Sequence, residues 1–131
     1  MNNNINISSI ETHFDSVIRK HICKRCYAGT LPSTLKAEDE SMVVIDCGSV
    51  SDFDSYGKGL INLYLYAQPT NGLKNVPALS RLEKALNEAL ENNAFDSENY
   101  TVARNFLYQD DGYDTTYNMH FIIKAIQLII K

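Results

Sequence analysis

The segment Leu60–Ala67 alternates along its length, and this pattern constrains the fold more than any other part of the chain. One set of alternate positions is aliphatic and comprises Ile61, Leu63, Leu65 and Ala67. The other set comprises Asn62, Tyr64 and Tyr66. A period of two is that of a β-strand. We therefore predict a strand whose tyrosines either pack under further structure or form an interface between subunits.

Three further segments are predicted to be strands. Met42–Cys47 is a β-branched apolar run, which is typical of a buried strand. Two others follow at about Thr101–Tyr108 and Tyr117–Ile130, and the Asp-Gly pair between them predicts a turn over residues 109–114. The polar residues 49–58 predict a loop or hairpin connection between the first two strands.

Two segments have the apolar spacing of amphipathic helices. The first is predicted over residues 9–23, with Ser8 or Ser9 as its N-cap. The second is predicted over residues 78–90, and Pro77 suits its first turn because proline lacks the N–H that is unpaired there.

Together these elements predict one α+β domain. Residues 1–8 are expected to form a flexible N-terminal arm, and residues 9–131 the domain. Residues 26–40 are predicted to be an irregular connection with a short extended piece near Tyr27. The order of elements predicts a mostly antiparallel sheet of about four strands with two helices packed on one face.

The charge balance argues against a nucleic-acid-binding protein. The 131 residues include 12 lysines and arginines and 16 aspartates and glutamates, so the net charge is −4. Binding through nucleic-acid phosphates needs a clustered basic surface. The one basic spot is formed by Lys20, Lys24 and Arg25, and such a spot can also simply complement the dipole at a helix end.

The start of the sequence predicts a protein that stays inside the cell that makes it. Residues 1–5 lack the positive charge and the apolar run of a secretory signal, and no stretch has the length needed to span a bilayer. The three cysteines are then expected to be free thiols, because the interior of a cell is reducing.

One group of residues has the chemistry of a zinc site. Cys23 and Cys26, together with His21 and Cys47, can supply four ligands to zinc. The pair lies at a predicted helix end, however, and no second pair matches its spacing. Cysteine is also common as a small buried apolar residue, which is the other interpretation.

A second group is rich in carboxylates. Asp46, Asp52 and Asp54 can supply a metal-binding set for nuclease chemistry, but no basic residues accompany them, and an aspartate-rich turn is the other explanation. The histidines His13 and His21 lie in the first predicted helix and His120 in the last predicted strand, and none stands next to a carboxylate at motif spacing. There is no glycine-rich phosphate loop, nucleophile elbow or His-Glu-x-x-His pair. We therefore predict no catalytic, cofactor-binding or metal-binding residue.

The segments follow one another in an order that extends over nearly the whole chain. They are the N-terminal helix ending near Ile22, the segment Tyr27–Pro32, the strand Met42–Cys47, the segment Tyr56–Gly59 before the strand Leu60–Ala67, the helix Ala78–Leu90, and a final pair of strands after an Asp-Gly-Tyr turn. This order resembles that of the tail-terminator and tail-completion proteins of long-tailed bacteriophages, which are related to the head-tail connector group.

The resemblance implies a small structural subunit of a phage or prophage, without catalytic residues or a cofactor. Such subunits form a ring of about six copies, a hexamer, at the head-proximal end of the tail tube. There the ring would end tube polymerisation and join the tail to the head. Its partners would be copies of itself, the tail tube protein and neck or connector proteins, with no membrane. It would be made in the bacterial host cytoplasm and reside in the virion tail, and DNA would pass it without specific binding.

Two acidic segments are the candidate site for this function. Glu38, Asp39 and Glu40 precede the first predicted strand, and the predicted turn contains Asp110, Asp111 and Asp114. Carboxylates that line a passage repel DNA phosphates and let the duplex slide. We therefore expect both segments to face the lumen or an axial surface of the ring. Two solvated turns would have the same composition.

Three other functions also fit the sequence. A monomeric adaptor or inhibitor domain that binds a host or phage protein has the same size and charge, and solution mass would separate it from a ring. A zinc protein or metal-dependent enzyme built around the cysteines would be revealed by metal analysis. A neck or head-completion subunit is also a small ring-forming α+β protein.

Overall fold

A mixed β-sheet forms the centre of the fold in residues 6–52 and 57–131, which the computed structural model describes. The elements are α1 (Ile7–His21), β1 (Cys26–Ala28), β2 (Ser41–Asp52), β3 (Gly57–Ala67), α2 (Val76–Glu91), β4 (Tyr100–Val102), β5 (Tyr108–Asp114) and β6 (Met119–Ile130). The sheet order is β1-β2-β3-β6, and both β4 and β5 pair with the outer side of β6. The α+β class is confirmed. The predicted number of about four strands is wrong, because the described residues form a sheet of six strands, in which β1 runs parallel to β2 and the other pairings are antiparallel.

Helix α1 begins earlier than predicted, because Asn6 is its N-cap rather than Ser8 or Ser9. The Asn6 side-chain oxygen accepts a hydrogen bond from the Ser9 N–H at 2.8 Å, and the Asn6 N–H donates to Ser9 Oγ at 3.2 Å. This reciprocal pair satisfies donors at the start of the helix. The predicted arm over residues 1–8 therefore overlaps the helix at its last two positions, and its first five residues lie outside the described ones.

Helix α2 is confirmed and is slightly longer than predicted. It begins at Val76, and Pro77 lies in its first turn as expected. The Asn75 side-chain oxygen caps it by accepting a hydrogen bond from the Ala78 N–H at 3.2 Å.

Both helices pack on one face of the sheet, as predicted. The buried side chains that form this core include Phe14 and Ile18 from α1, Leu82 and Leu86 from α2, and Ile45, Leu63 and Ile126 from the strands. Phe14 also stacks on Phe95, with ring centroids 4.6 Å apart. Burying each such side chain contributes about 1.5–3 kcal/mol, so this layer provides most of the driving force for folding.

The opposite face of the sheet is covered by the connection between β1 and β2. Its buried side chains are Leu31, Met42, Val44, Tyr66 and Met119. The Tyr117 hydroxyl donates to the carbonyls of Leu31 and Pro32, at 3.1 and 3.0 Å, and so holds the connection against the sheet. Of the two strand tyrosines, Tyr66 is therefore buried, whereas Tyr64 remains half-buried.

The predicted strand at 101–108 is present only at its two ends, in β4 and at Tyr108, and the predicted turn at 109–114 is wrong. Residues 103–107 between the two ends are not in a strand. The second segment belongs to strand β5, and the turn follows it at residues 115–118. Gly112 faces the Phe121 ring, and a Cβ placed there would lie 2.5 Å from Phe121 Cζ. The glycine of the Asp-Gly pair thus makes room for an aromatic ring on the neighbouring strand and does not form a turn.

The remaining differences concern strand length. The extended piece expected near Tyr27 is β1, which pairs with β2 in the register Tyr27 to Val44. Most of residues 49–58, predicted as a loop or hairpin connection, belong to two antiparallel strands, since β2 continues to Asp52 and β3 begins at Gly57. A bulge after Cys47 shifts the register between these two strands.

Candidate functional site

The two acidic segments lie at the same end of the sheet. Residues Ser41, Ala67, His120 and Tyr113 pair in one row across β2, β3, β6 and β5. Glu40 precedes the first residue of this row and Asp114 follows the last one. The structure therefore brings the two predicted segments to one end, although β3 and β6 lie between them.

The first segment, residues 38–40, is largely neutralised by arginines. Asp39 is only 7 % exposed and accepts a hydrogen bond from Arg25 Nε at 2.8 Å, and this hydrogen bond and charge raise the pKa of Arg25. Glu40 forms an ion pair with Arg81 of α2. Glu38 is exposed and has no ion-pair partner among the described residues. Only one of these three carboxylates is thus a free charge.

The second acidic segment belongs to a strand and not to a loop, since all three aspartates lie in β5. Asp111 forms an ion pair with Lys74 at 3.0 Å. Asp114 accepts a hydrogen bond from the Tyr66 hydroxyl at 3.1 Å, and burial together with this contact raises the pKa of Tyr66. Asp110 is exposed and pairs with no cation in the described part of the chain.

Strand β5 forms an open edge of the sheet. Within the described residues it pairs with β6 on one side and with no strand on the other. Its side chains are mostly exposed, and Tyr108 and Tyr113 are 51 % and 50 % exposed. A row of unpaired backbone groups beside exposed tyrosines is a surface on which another polypeptide can dock.

The opposite edge of the sheet is closed by an arginine that sequence reasoning missed. Arg19 lies in the last turn of α1 and is held by Asp15 at 3.0 Å. Its guanidinium donates to the backbone carbonyls of Lys24 and Cys26, at 2.9 and 2.6 Å. These acceptors belong to β1 and to the residues just before it, so Arg19 occupies positions that a neighbouring strand would use. The i, i+4 spacing of an aspartate and an arginine was the available sequence signal.

The basic spot predicted at Lys20, Lys24 and Arg25 lies beside this closed edge. Arg25 is engaged by Asp39, whereas Lys20 and Lys24 are exposed and pair with no carboxylate in the described ranges. The spot also has the helix-end location that complements a dipole. Two of its three charges, Lys20 and Lys24, therefore form no ion pair with the described residues.

The four residues considered as zinc ligands are not assembled into a site. No group of three or more potential ligands converges anywhere in residues 6–52 and 57–131. Cys26 is buried, and its burial and its contact with Asp15 raise the pKa of the thiol. Burial, followed by the nearby Glu11, raises the pKa of Cys47 to about 11. Neither thiol therefore ionises readily to the thiolate that binds zinc, and both pack as small apolar side chains.

As far as the structure describes them, the other candidates form no metal-binding group. Of the three aspartates, Asp46 is exposed on β2, Asp54 lies outside the described residues, and the Asp52 side chain is not described. His13 bonds the Phe95 carbonyl at 3.1 Å, while His120 lies edge-on to Tyr113.

Lys124 is a buried cation that sequence reasoning did not single out. Its side chain is 3 % exposed and its Nζ lies 2.7 Å from Glu83 of α2. It also donates to Gln109 Oε1 of β5 and lies 4.8 Å from the centre of the Phe106 ring. Lys124 therefore ties the open edge to β6 and to α2. A lysine within an apolar alternating strand was the signal that could have identified it.

A tight turn projects from the acidic end of the sheet. Thr70 and Leu73 exchange two backbone hydrogen bonds of 3.0 Å, and the central Asn71 and Gly72 have φ of 53° and 76°. Positive φ at both central positions is the geometry of a type I′ turn, which Asn-Gly favours. The turn presents Leu73, which is 71 % exposed.

Comparison with known proteins identifies no family. No protein-family model matches the chain, and no curated protein matches it either. Neither helix in the described ranges is long and apolar enough to cross a bilayer.

Proposed function

We propose that this protein is a structural subunit of a phage or prophage tail. In this proposal, copies form a ring at the head-proximal end of the tail tube, end its polymerisation and provide the attachment surface for the neck. The order of elements along the chain resembles that of tail-terminator and tail-completion proteins. The proposed location in the virion rests on this resemblance.

The observation that carries the proposal is the difference between the two sheet edges. Strand β5 is open and mostly exposed over its seven residues, whereas the edge at β1 is three residues long and capped by Arg19. Two unlike edges favour a head-to-tail contact, in which one surface of a copy meets a different surface of the next. Repetition of such a contact generates a ring when the rotation closes.

The charge of the chain suits a ring through which DNA passes. With a net charge of −4, the subunit would repel phosphates and not hold them. Glu38 is the free carboxylate of the first acidic segment, and it remains the residue of that segment best suited to an axial or lumenal surface. The ion-paired Asp39 and Glu40 contribute little field there.

The proposal is tested by polymerising the tail tube protein of the same virus or prophage with and without the purified chain. We expect tubes that stop growing and bear one ring at one end in negative-stain images. Tubes of unchanged length with no bound ring would contradict a terminator function. Capture by filled heads instead of tubes would assign the ring to the neck. A chain that stays monomeric and binds neither would favour a monomeric adaptor.

A further inference from the structure

We infer that the open edge of the sheet binds an extended basic segment of another polypeptide by strand addition. The segment would pair with β5 (Tyr108–Asp114) as a further strand and set a lysine or arginine opposite Asp110. In this mode main-chain hydrogen bonds give affinity and alternate side chains give specificity. The inference rests on the proposed function in one respect, because the segment would belong to a protein that the ring meets at the tube end. The binding itself needs no ring.

The first step is that the register directs the backbone groups of alternate β5 residues away from the sheet. The β6 carbonyls of Ala125 and Gln127 accept hydrogen bonds from the β5 side, where the N–H groups of Leu107 and Ala103 are the donors. The odd-numbered residues of β6 therefore turn toward β5, and their register partners are the even-numbered residues of β5. The outward groups belong to the residues between these partners, which are Gln109, Asp111 and Tyr113.

The second step is that these outward groups are available to a new strand. In the described part of the chain only the Asp111 N–H has a partner, the side-chain oxygen of Asp110 at 2.8 Å. This contact is further evidence that the Asp111 N–H points outward. The Asp111 carbonyl and both backbone groups of Gln109 and Tyr113 form no hydrogen bond with the described residues. An extended segment beside β5 satisfies them at the spacing of a β-ladder.

The third step concerns the side chains that such a segment would meet. A shallow concavity beside β5 is lined by Lys74, Glu83, Gln109, Asp110, Asp111 and Ile122. Asp111 forms an ion pair with Lys74. Glu83 forms one with Lys124. Asp110 is exposed and pairs with no cation among the described residues. A cation on the added strand directly opposite Asp110 balances this charge, and opposite charges in such cross-strand pairs are stabilising.

The fourth step excludes the β5 edge of a second copy as the occupant. An antiparallel pairing that aligns all seven residues sets Asp111 opposite its own copy. Moving the register by two residues sets Asp110 opposite itself in one direction, and Asp110 opposite Asp114 in the other. Each of these registers places like charges in contact, which destabilises the ladder. The occupant is therefore a segment of different composition, with cations where β5 has aspartates.

The test uses a blocked heptapeptide, Lys-Val-Thr-Val-Lys-Val-Thr, whose lysines lie opposite Asp114 and Asp110 when it pairs antiparallel with β5. Amide chemical shifts and hydrogen exchange of the isotope-labelled chain are measured at low salt as the peptide is added up to about 1 mM. One control peptide carries glutamates in place of the lysines. The other keeps the side chains and carries N-methyl groups on its valines, which removes the N–H groups that would reach the β5 carbonyls.

We expect the basic peptide to bind with a dissociation constant below about 1 mM and to slow hydrogen exchange at the outward amides of Gln109 and Tyr113. The Gly112 amide faces β6 and should change little. Each control peptide should bind at least about tenfold more weakly, because it lacks either the charge pairs or the ladder hydrogen bonds.

Two variants test the charge of the edge. Asp110→Asn removes the charge and keeps the oxygen that accepts the Asp111 N–H, so binding should weaken about threefold. Asp110→Lys makes the pair repulsive and should weaken binding about tenfold. The matched control is Glu91→Lys, which reverses an exposed charge on α2 and should bind the peptide as the unmodified chain does. The dispersion of the amide spectrum shows that each variant is folded.

Strand addition by a basic segment would be overturned if either control peptide, or the Asp110→Lys chain, bound as tightly as the original pair. It would also be overturned if about 1 mM basic peptide changed nothing in β5. Such a failure leaves the proposed function standing where tail tubes still stop growing and bear a ring. Conversely, peptide binding without capture by tubes would support the inference about the edge and contradict the terminator function.

Discussion

The two faces of the sheet are covered by different means. On one face, helices of 15 and 16 residues bury a continuous aliphatic and aromatic layer around Phe14 and Leu86. On the other face, a connection without helices covers Tyr66, and hydrogen bonds from Tyr117 hold it in position. Burial of apolar area holds the helices on the first face, whereas a few hydrogen bonds hold the connection on the second. We therefore expect packing on the helix side to determine the global free energy of unfolding. We expect the connection on the other face to open locally before the rest of the domain unfolds.

The largest effect is expected from Phe14→Ala, which opens a cavity under α1 beside Phe95. Truncating a fully buried phenylalanine costs about 3–5 kcal/mol. We expect a loss of that size in the free energy of unfolding, measured by urea denaturation. Ser16→Ala, on the exposed side of the same helix, should change it by less than about 0.5 kcal/mol. Equal effects of the two substitutions would show that this face is not the main core.

A pH experiment examines the same face through Cys47. The folded pKa of about 11 exceeds the ordinary value of 9.0, so folding disfavours the thiolate. The thiol therefore contributes its full stability below about pH 9 and loses it as the pH rises through about 11, a change of about 3 kcal/mol. The difference in the free energy of unfolding between the unmodified chain and Cys47→Ala should therefore fall between pH 8 and 11. The difference between Ile61→Val and the unmodified chain should stay constant, because neither residue titrates.

On the opposite face, Gly112→Ala should cost about 2 kcal/mol, because its Cβ would collide with the Phe121 ring. The matched control is Gly48→Ala, where the nearest atom to the new Cβ is Leu60 O at 3.7 Å, an ordinary contact. Thermal denaturation compares the two variants. Equal melting temperatures for the two variants would contradict the close contact between position 112 and the Phe121 ring.

The smallest effect is expected from Tyr117→Phe, which removes the hydroxyl that holds residues 31 and 32. A hydrogen bond of this kind contributes about 1 kcal/mol, so global stability should fall only slightly. Hydrogen exchange of residues 29–40 should accelerate more than that of α1 and α2. Tyr113→Phe is the control, because that ring is exposed. Uniform acceleration across the chain would argue against a separately held connection.

The sequence predicted those elements whose pattern is local. The strand at Leu60–Ala67 and helix α2 were found because alternation and helical spacing repeat over many residues. Strand β5 was missed because an exposed edge strand need not alternate, and its Asp-Gly pair has the composition of a turn. The short extended piece expected near Tyr27 is β1, but no local pattern encodes its parallel pairing with β2.

The candidate site was predictable only as a set of charges. Both acidic segments are present, but their partners are distant in sequence: Arg81 lies 41 residues from Glu40, and Lys74 lies 37 residues from Asp111. Spacing along the chain cannot reveal such pairs. For this reason, spacing alone did not show that Asp39, Glu40 and Asp111 are ion-paired, whereas Glu38 and Asp110 form no ion pair with the described residues.

The central claim is that copies of the chain assemble head to tail into a closed ring. The most direct measurement is the native mass of the unmodified chain at low salt over a concentration series, first alone and then with tail tubes. A single species of about six subunits, with no larger species at higher concentration, is the expected result. A two-fold dimer, or a monomer that tail tubes fail to capture, would contradict the claim.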